Sequence, residues 1–233
     1  MSLHTMKRFD EELNELKELV LAMGSLVERA VGNAVKSMIE QDETLAEKTV
    51  ERDKAINALE VQCDEMTRDI LVRRQPAAGD LRFIMGIIKL ITDLERMGDL
   101  AAGIAQGMLR AQEHPPRNFS NIDIMGEKVQ KQVNRSLDAF SRGDTELALK
   151  VMKKDGSIDT LYKRMYRELL TYMMEDQRSI GSSIMLTNVA KNLERISDHA
   201  TNIAEMVIYM ERGHDVRHVD HKAAARLVKG DDE

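Results

Sequence analysis

The pattern LERxxDxAxxIA occurs twice in this chain. Residues 93–105 read DLERMGDLAAGIA and residues 192–204 read NLERISDHATNIA. In both copies the apolar residues recur every three or four positions, which is the spacing of one face of an α-helix. Another similar pair precedes them at nearly the same displacement, DKAINAL at 53–59 and DGSIDTL at 155–161. A duplicated helical unit explains both matches.

Apolar periodicity divides each copy into three helices. The six stripes cover residues 13–38, 45–70, 84–105, 125–140, 151–172 and 186–210. Asp42 is expected to cap the second helix, and Gln75-Pro76 is expected to end it, because proline restricts the residue before it. The sequence predicts an all-α fold of two tandem antiparallel three-helix bundles related by internal duplication. The Pro-Pro pair places the boundaries at 1–114 and 115–212, followed by a polar tail at 213–233.

Composition excludes several classes of protein. The 233 residues are 32% charged and 3% aromatic, with no Trp and 3 Pro, which is typical of a helical chain and argues against a β-sandwich. A net charge of -6 disfavours binding to nucleic acid. The single cysteine, Cys63, excludes an intramolecular disulfide and a sulfur-ligated zinc site. No apolar run approaches the length of a membrane span and no signal-peptide core appears, so we predict a cytosolic protein that reaches a membrane only through a partner.

Each copy carries two pairs of oxygen-bearing side chains at helical spacing. Residues i and i+4 lie on one face of a helix, so each pair points in one direction. If the middle and last helices are neighbours, the pairs converge into two sets of four. These sets are Asp53, Asn57, Glu95 and Asp99 in the first copy, and Asp155, Asp159, Glu194 and Asp198 in the second.

Crowded carboxylates repel each other unless a proton, an arginine or a cation intervenes. Oxygen ligands favour Mg, Mn or Ca, or a carboxylate-bridged iron cluster, so a divalent or iron-type metal ion is one solution. The other solution is a metal-free face on which Arg96 and Arg195 pair with acids. The predicted metal ligands are Glu95, Asp99, Glu194 and Asp198, followed by Asp53, Asp155 and Asp159.

The sequence offers no catalytic signature. Di-iron enzymes of helical bundles use Glu-x-x-His, but Gly98 and Ser197 stand three residues after Glu95 and Glu194. Neither a phosphate-binding glycine loop nor a nucleophile elbow is present. His199 and the tail histidines at 214, 218 and 221 are weaker candidate ligands. We therefore predict no enzyme, with a carboxylate-metal enzyme and a metal-free helical scaffold as alternatives.

Taken together, these motifs resemble the PhoU family, whose members are accessory proteins of phosphate-specific transport. The resemblance covers most of the chain and rests on Met23-Gly24, Val27-Glu28, Arg73-Arg74-Gln75-Pro76, Asp80-Leu81-Arg82, 94–99, 171–176, 194–198 and Arg217-His218-Val219. It departs from the family pattern at Asn57, where an Asp would complete the first set, and at Ser179-Ile180-Gly181, opposite Asp80-Leu81-Arg82.

The resemblance implies a non-enzymatic negative regulator of phosphate uptake and phosphate-starvation signalling. Its implied partners are the ATPase subunit of the phosphate ABC transporter, the phosphate sensor histidine kinase and a second copy in a homodimer. Through the first two partners it implies a cytoplasmic protein that is recruited peripherally to the inner membrane. It also implies iron or zinc clusters on the acidic motifs in some members. Carried over by position, it nominates Glu95, Asp99, Glu194 and Asp198 first.

Overall fold

Seven α-helices make up the part of the chain that the computed structural model describes, residues 3–110 and 120–229. They are α1 Leu3–Glu40, α2 Glu43–Arg74, α3 Ala78–Arg110, α4 Ser120–Arg142, α5 Thr145–Glu175, α6 Ile180–Arg212 and α7 His221–Lys229, with a short 3₁₀ turn at Gln177–Ser179. No strand occurs in these residues. The predicted all-α fold is confirmed.

The turns between the helices follow the local signals in the sequence. The Asp42 side chain accepts a hydrogen bond from the backbone N–H of Leu45 at 2.9 Å, and Asp144 does the same for Leu147 at 2.8 Å. Each carboxylate satisfies one of the free N–H groups of a helix start. Gln75 adopts a left-handed conformation with φ 48° before Pro76, and α2 ends there as predicted. The α1–α2 and α4–α5 turns are therefore capped in the same way, whereas α5 ends differently from α2, with Asp176 in an extended conformation.

Four helices form the centre of the molecule, and two flank it. Helix α1 packs on α3, α3 on α6, α6 on α4 and α4 on α1, which closes a ring. Helix α2 lies outside the ring against α1 and α3, and α5 lies outside it against α4 and α6. The buried apolar residues of all six helices belong to one continuous core. The two three-helix units thus share a core instead of burying separate ones.

Contacts between the two copies come in pairs that exchange when the copies are swapped. A Cβ added to Gly24 of α1 would lie 2.6 Å from Leu137 Cδ2 of α4, and one added to Gly126 of α4 would lie 2.6 Å from Val35 Cγ1 of α1. Gly126 is the counterpart of Gly24, and Leu137 is the counterpart of Val35. The copies are therefore related by a local two-fold axis, with α1 against α4 and α3 against α6.

The segment after α6 contains a helix that its sequence did not predict. Within the predicted tail 213–233, Val216, Ala224 and Val228 are buried and α7 packs against α5. Helix α7 has only nine residues, too few for the apolar periodicity by which the longer helices were predicted. The proposed boundary at 114 lies outside the described residues, so the division into domains stays a prediction. Among the described helices, none has a stretch apolar and long enough to cross a membrane.

We expect Gly126→Ala to be less stable than Gly156→Ala by about 1–3 kcal/mol, because overpacking costs that much in a tight interface. Both changes gain similar helix propensity, about 1 kcal/mol. At Gly126 the new methyl group meets Val35, whereas at Gly156 nothing lies within 4 Å. Urea unfolding of the two variants measures the difference. Equal stabilities would contradict the close approach of α1 and α4.

Candidate functional site: two carboxylate clusters

The first cluster lies where α2 meets α3. Asp53 of α2 lies near enough to Asp99 of α3 for their charges to interact, and Asp99 in turn interacts with Glu95. Asn57 Nδ2 donates a hydrogen bond to Asp53 Oδ2 at 3.2 Å. Burial, followed by the charge of Asp99, raises the pKa of Asp53, and the same two causes raise the pKa of Glu95. The two helices therefore bring carboxylates near one another, but no three acids of this set lie within 4.8 Å of one another as those of the second copy do.

Glu60 is a further member of the first cluster that the sequence reasoning missed. Its pKa is raised by burial and then by Asp64 and Asp99, and its charge in turn raises the pKa of Glu95. Glu60 follows Asp53 by seven residues, which is two helical turns on the same face. That spacing could have predicted that Glu60 lies beside Asp53. The duplication obscured it, because the counterpart of Glu60 in the second copy is Tyr162.

Two buried oxygen atoms of the first cluster have no hydrogen-bond partner, Asp53 Oδ1 and Asn57 Oδ1. A Cβ at position 98 would lie 3.1 Å from Asp53 Oδ1 and 2.9 Å from Ile56 Cδ1, so Gly98 leaves the room in which this carboxylate sits. Leaving a buried acceptor unpaired costs about 1–3 kcal/mol. Unpaired oxygen acceptors are the ligands that a hard cation takes, so the residues of the first cluster fit such an ion.

The second cluster lies where α5 meets α6. One carboxylate oxygen from each of Asp155, Asp159 and Asp198 lies within 4.8 Å of the others. This is the one group of three potential metal ligands with that spacing among the described residues. Glu194 stands beside the group and binds Lys191, with Lys191 Nζ 2.5 Å from Glu194 Oε2. All four predicted residues of the second copy are therefore brought together.

Burial and mutual repulsion raise the pKa values of acids in the second cluster. Partial burial, followed by the charges of Glu194, Asp155 and Asp159, raises the pKa of Asp198 to about 6. Burial also raises the pKa of Asp155, although the hydroxyl of Ser197 donates to Asp155 Oδ1 at 2.9 Å and opposes the shift. Carboxylates held together in this way are stabilised by a proton or by a cation. Both clusters have the chemistry of a site for hard or iron-type ions.

The described histidine candidates, His199, His214 and His218, lie outside both clusters. His199 Nδ1 is 2.7 Å from Asp93 Oδ1, and Asn202 Nδ2 donates to the same oxygen at 3.0 Å. These bonds join α6 to α3 and serve the contact between the two copies. Within the described side chains, no histidine belongs to a group of three potential ligands. The side chain of His221 lies outside the described part.

We expect Asp198→Asn to stabilise the metal-free chain at pH 7. A carboxyl group whose pKa is raised in the folded state loses stability as pH rises from about 4 to about 6, and an amide does not. Because Asp198 is solvent accessible, screening limits the gain to about 1 kcal/mol. Urea unfolding in chelator at pH 7 and at pH 4 measures it, with Glu51→Gln as an exposed control. A gain as large at pH 4 as at pH 7 would contradict this origin.

Comparison with known proteins connects this geometry to a family. The model of the PhoU domain matches residues 20–108 and again residues 122–207, one match for each copy. A phosphate-specific transport system accessory protein PhoU homolog of Pseudomonas putida is 46% identical over 229 residues, covering 97% of this chain and 90% of that protein. The accessory protein PhoU of Escherichia coli K12 is 37% identical over 231 residues, covering 98% and 95%.

Solved structures show the same architecture. The crystal structure of PhoU from Pseudomonas aeruginosa matches with a TM-score of 0.86 at 46% identity, covering 88% of this chain and 100% of that one. The phosphate transport system regulatory protein PhoU from Streptococcus pneumoniae matches with a TM-score of 0.83 at 32% identity, covering 89% and 99%. Because the matches extend over both copies and nearly the whole chain, this protein belongs to the PhoU family.

Proposed function

We propose that this chain is an accessory and regulatory protein of phosphate transport, as its relatives are named, and that it acts as a negative regulator of phosphate uptake and phosphate-starvation signalling. The observation that carries the proposal is the PhoU match to both copies, 20–108 and 122–207, together with a carboxylate cluster in each. In this proposal the chain is an adaptor. It links the ATPase subunit of the phosphate ABC transporter to the sensor histidine kinase in the cytoplasm.

The shape of the molecule supports an adaptor without catalysis. Long helices offer extended faces on which partner helices can pack. The two clusters lie on corresponding edges, α2/α3 and α5/α6, because the copies are related by a local two-fold axis. A protein with two similar faces can bind two partners, or two copies of one partner, at the same time. We propose that the carboxylate clusters form part of these contact faces and that divalent or iron-type metal ions bind there.

Exposed apolar side chains give further support. Large apolar residues lie near the α2–α3 turn and at the counterpart positions near the α5–α6 turn. The pairs, with exposed fractions, are Val72 74% and Met174 87%, Leu81 40% and Ile180 40%, and Met85 43% and Ile184 51%. Apolar side chains that are exposed together mark surfaces for protein contacts. Their recurrence at both turns is expected if each end of the molecule binds a partner.

We expect the chain to retain the ATPase subunit and the kinase from detergent-solubilised membranes, and to retain more of both when cells have grown in high phosphate. Changing Glu95, Asp99, Glu194 and Asp198 together to Ala removes the acidic faces and should reduce recovery at least tenfold, the effect of losing about 1.4 kcal/mol of binding. Quantitative mass spectrometry of the bound fraction measures both effects.

The matched control changes four exposed acids elsewhere, Glu11, Glu18, Glu51 and Glu127, to Ala, which alters the net charge equally. It should bind as the unchanged chain does. Equal recovery with the cluster variant and the unchanged chain would refute the acidic faces as contact surfaces. Recovery of neither membrane protein under any phosphate condition would refute the adaptor.

We expect Leu81→Glu combined with Ile180→Glu to weaken membrane-protein capture without lowering the unfolding temperature, because both side chains are already partly exposed. Leu90→Glu is the contrasting variant, because Leu90 is fully buried and its change should unfold the chain. Capture and thermal unfolding are measured on the same preparations. Unaltered capture by the first variant would exclude the turn residues from the contact.

A further inference from the structure

The two carboxylate clusters differ at three counterpart positions next to their shared acids. Where the first cluster has Thr92, Glu60 and Gly98, the second has Lys191, Tyr162 and Ser197. Each difference acts in the same direction. The second cluster gains a cation, loses a carboxylate and gains a hydroxyl donor. Each difference therefore supplies the second cluster with compensation that the first cluster lacks.

Lys191 is held against the second cluster by two contacts. Its Nζ lies 2.5 Å from Glu194 Oε2 and 5.3 Å from the centre of the Tyr162 ring. The first contact is a charge-assisted hydrogen bond and the second is a cation–π contact, and together they fix where the positive charge stands. Glu194 is 14% exposed, so the carboxylate that Lys191 neutralises is largely withdrawn from water.

The counterpart of Lys191 makes no such contact. Thr92 donates its hydroxyl to the backbone oxygen of Ile88 at 3.0 Å, within its own helix. In the first cluster Glu95 has Arg96 Nε at the longer distance of 3.5 Å, and the Arg96 side chain is 59% exposed against 47% for Lys191. Asp53 Oδ1 and Asn57 Oδ1 of the first cluster accept no hydrogen bond from the protein. Asp155 Oδ1, the counterpart of a carboxylate oxygen of Asp53, has the hydroxyl of Ser197.

We propose that Lys191 is a built-in counter-cation of the second cluster and that it makes this cluster the weaker of the two metal sites. The inference rests on the proposed binding of divalent cations to both clusters. An incoming ion at the second cluster must part Lys191 from Glu194 or bind beside its positive charge. At the first cluster the ion meets two unpaired oxygen atoms and no lysine. The proposed ranking requires that the charge of Lys191 outweighs the advantage of the three carboxylate oxygens that lie within 4.8 Å of one another in the second cluster.

Reciprocal exchange of the two counterpart residues tests the inference. Mn²⁺ is titrated by calorimetry into the full chain after treatment with chelator, because carboxylate sites accept this ion. The unchanged chain should show a tighter and a weaker class of site. The variant Glu95→Ala with Asp99→Ala should lose the tighter class, and Glu194→Ala with Asp198→Ala the weaker class.

Lys191→Thr should strengthen the weaker class by roughly three- to tenfold, the effect expected of removing one partly screened charge near a divalent ion. Thr92→Lys should weaken the tighter class by a similar factor. Lys191→Arg keeps the charge and should leave both classes unchanged. Because Thr92 and Lys191 are exposed, circular dichroism should show the same helix content in all three variants.

The possible results distinguish the role of Lys191 from the proposed binding of metal ions to the clusters. Absence of Mn²⁺ binding to the unchanged chain would overturn metal binding at the clusters, and the role of Lys191 with it. Two classes of site that respond to neither Lys191→Thr nor Thr92→Lys would leave metal binding standing and overturn the role of Lys191. A tighter class that disappears with Glu194→Ala and Asp198→Ala would overturn the proposed ranking.

Discussion

Antiparallel packing of α3 against α6 is the constraint on which the rest of the structure depends. Each of these helices touches the other two helices of its own copy as well as its counterpart. Their repeated pattern puts Leu94, Ala101 and Ile104, and the matching residues of α6, at 0% exposure. Small residues let the helices approach, and the larger ones fill the space between them. The acids of the pattern, about 100° away around the helix, are thereby left at the edge, facing α2 or α5.

The same packing explains why each copy ends in a carboxylate cluster. Once α3 and α6 are fixed back to back, α2 and α5 can pack only on their outer sides. The polar edges of neighbouring helices then meet, and burial together with repulsion raises the pKa of Asp53, Glu95, Asp155 and Asp198. A raised pKa means that the ionised carboxylate is less favourable in the folded state than in the unfolded chain, so ionisation of these acids opposes folding when no cation is bound. The large shared core stabilises the fold despite this opposing contribution. Perturbed pKa values of this kind are typical of functional sites.

The two copies share their helical framework but differ in the residues around the clusters. The helix caps at Asp42 and Asp144 recur because each satisfies a free backbone N–H of a helix start. The glycine contacts at Gly24 and Gly126 recur because a shared core tolerates little change in volume. Glu60 and Tyr162, or Thr92 and Lys191, lie at the polar edge, where such substitutions cost little stability. Helix α7 adds a further asymmetry, since it packs on α5 alone among the two flanking helices. The two halves are thus alike in architecture and distinct in electrostatics.

The sequence by itself determined the number of long helices, their capped turns, the duplication and the i, i+4 acid pairs, because these depend on residues close together in the chain. Only the tertiary structure decided that the two units share one core, that Glu60 joins the first cluster, that His199 pairs with Asp93 across α3 and α6, and that Lys191 stands against the second cluster. Periodicity shows which face of a helix is buried but not which helix covers it. Those contacts, and a nine-residue α7 held by its packing on α5, depend on distances in space that local spacing does not encode.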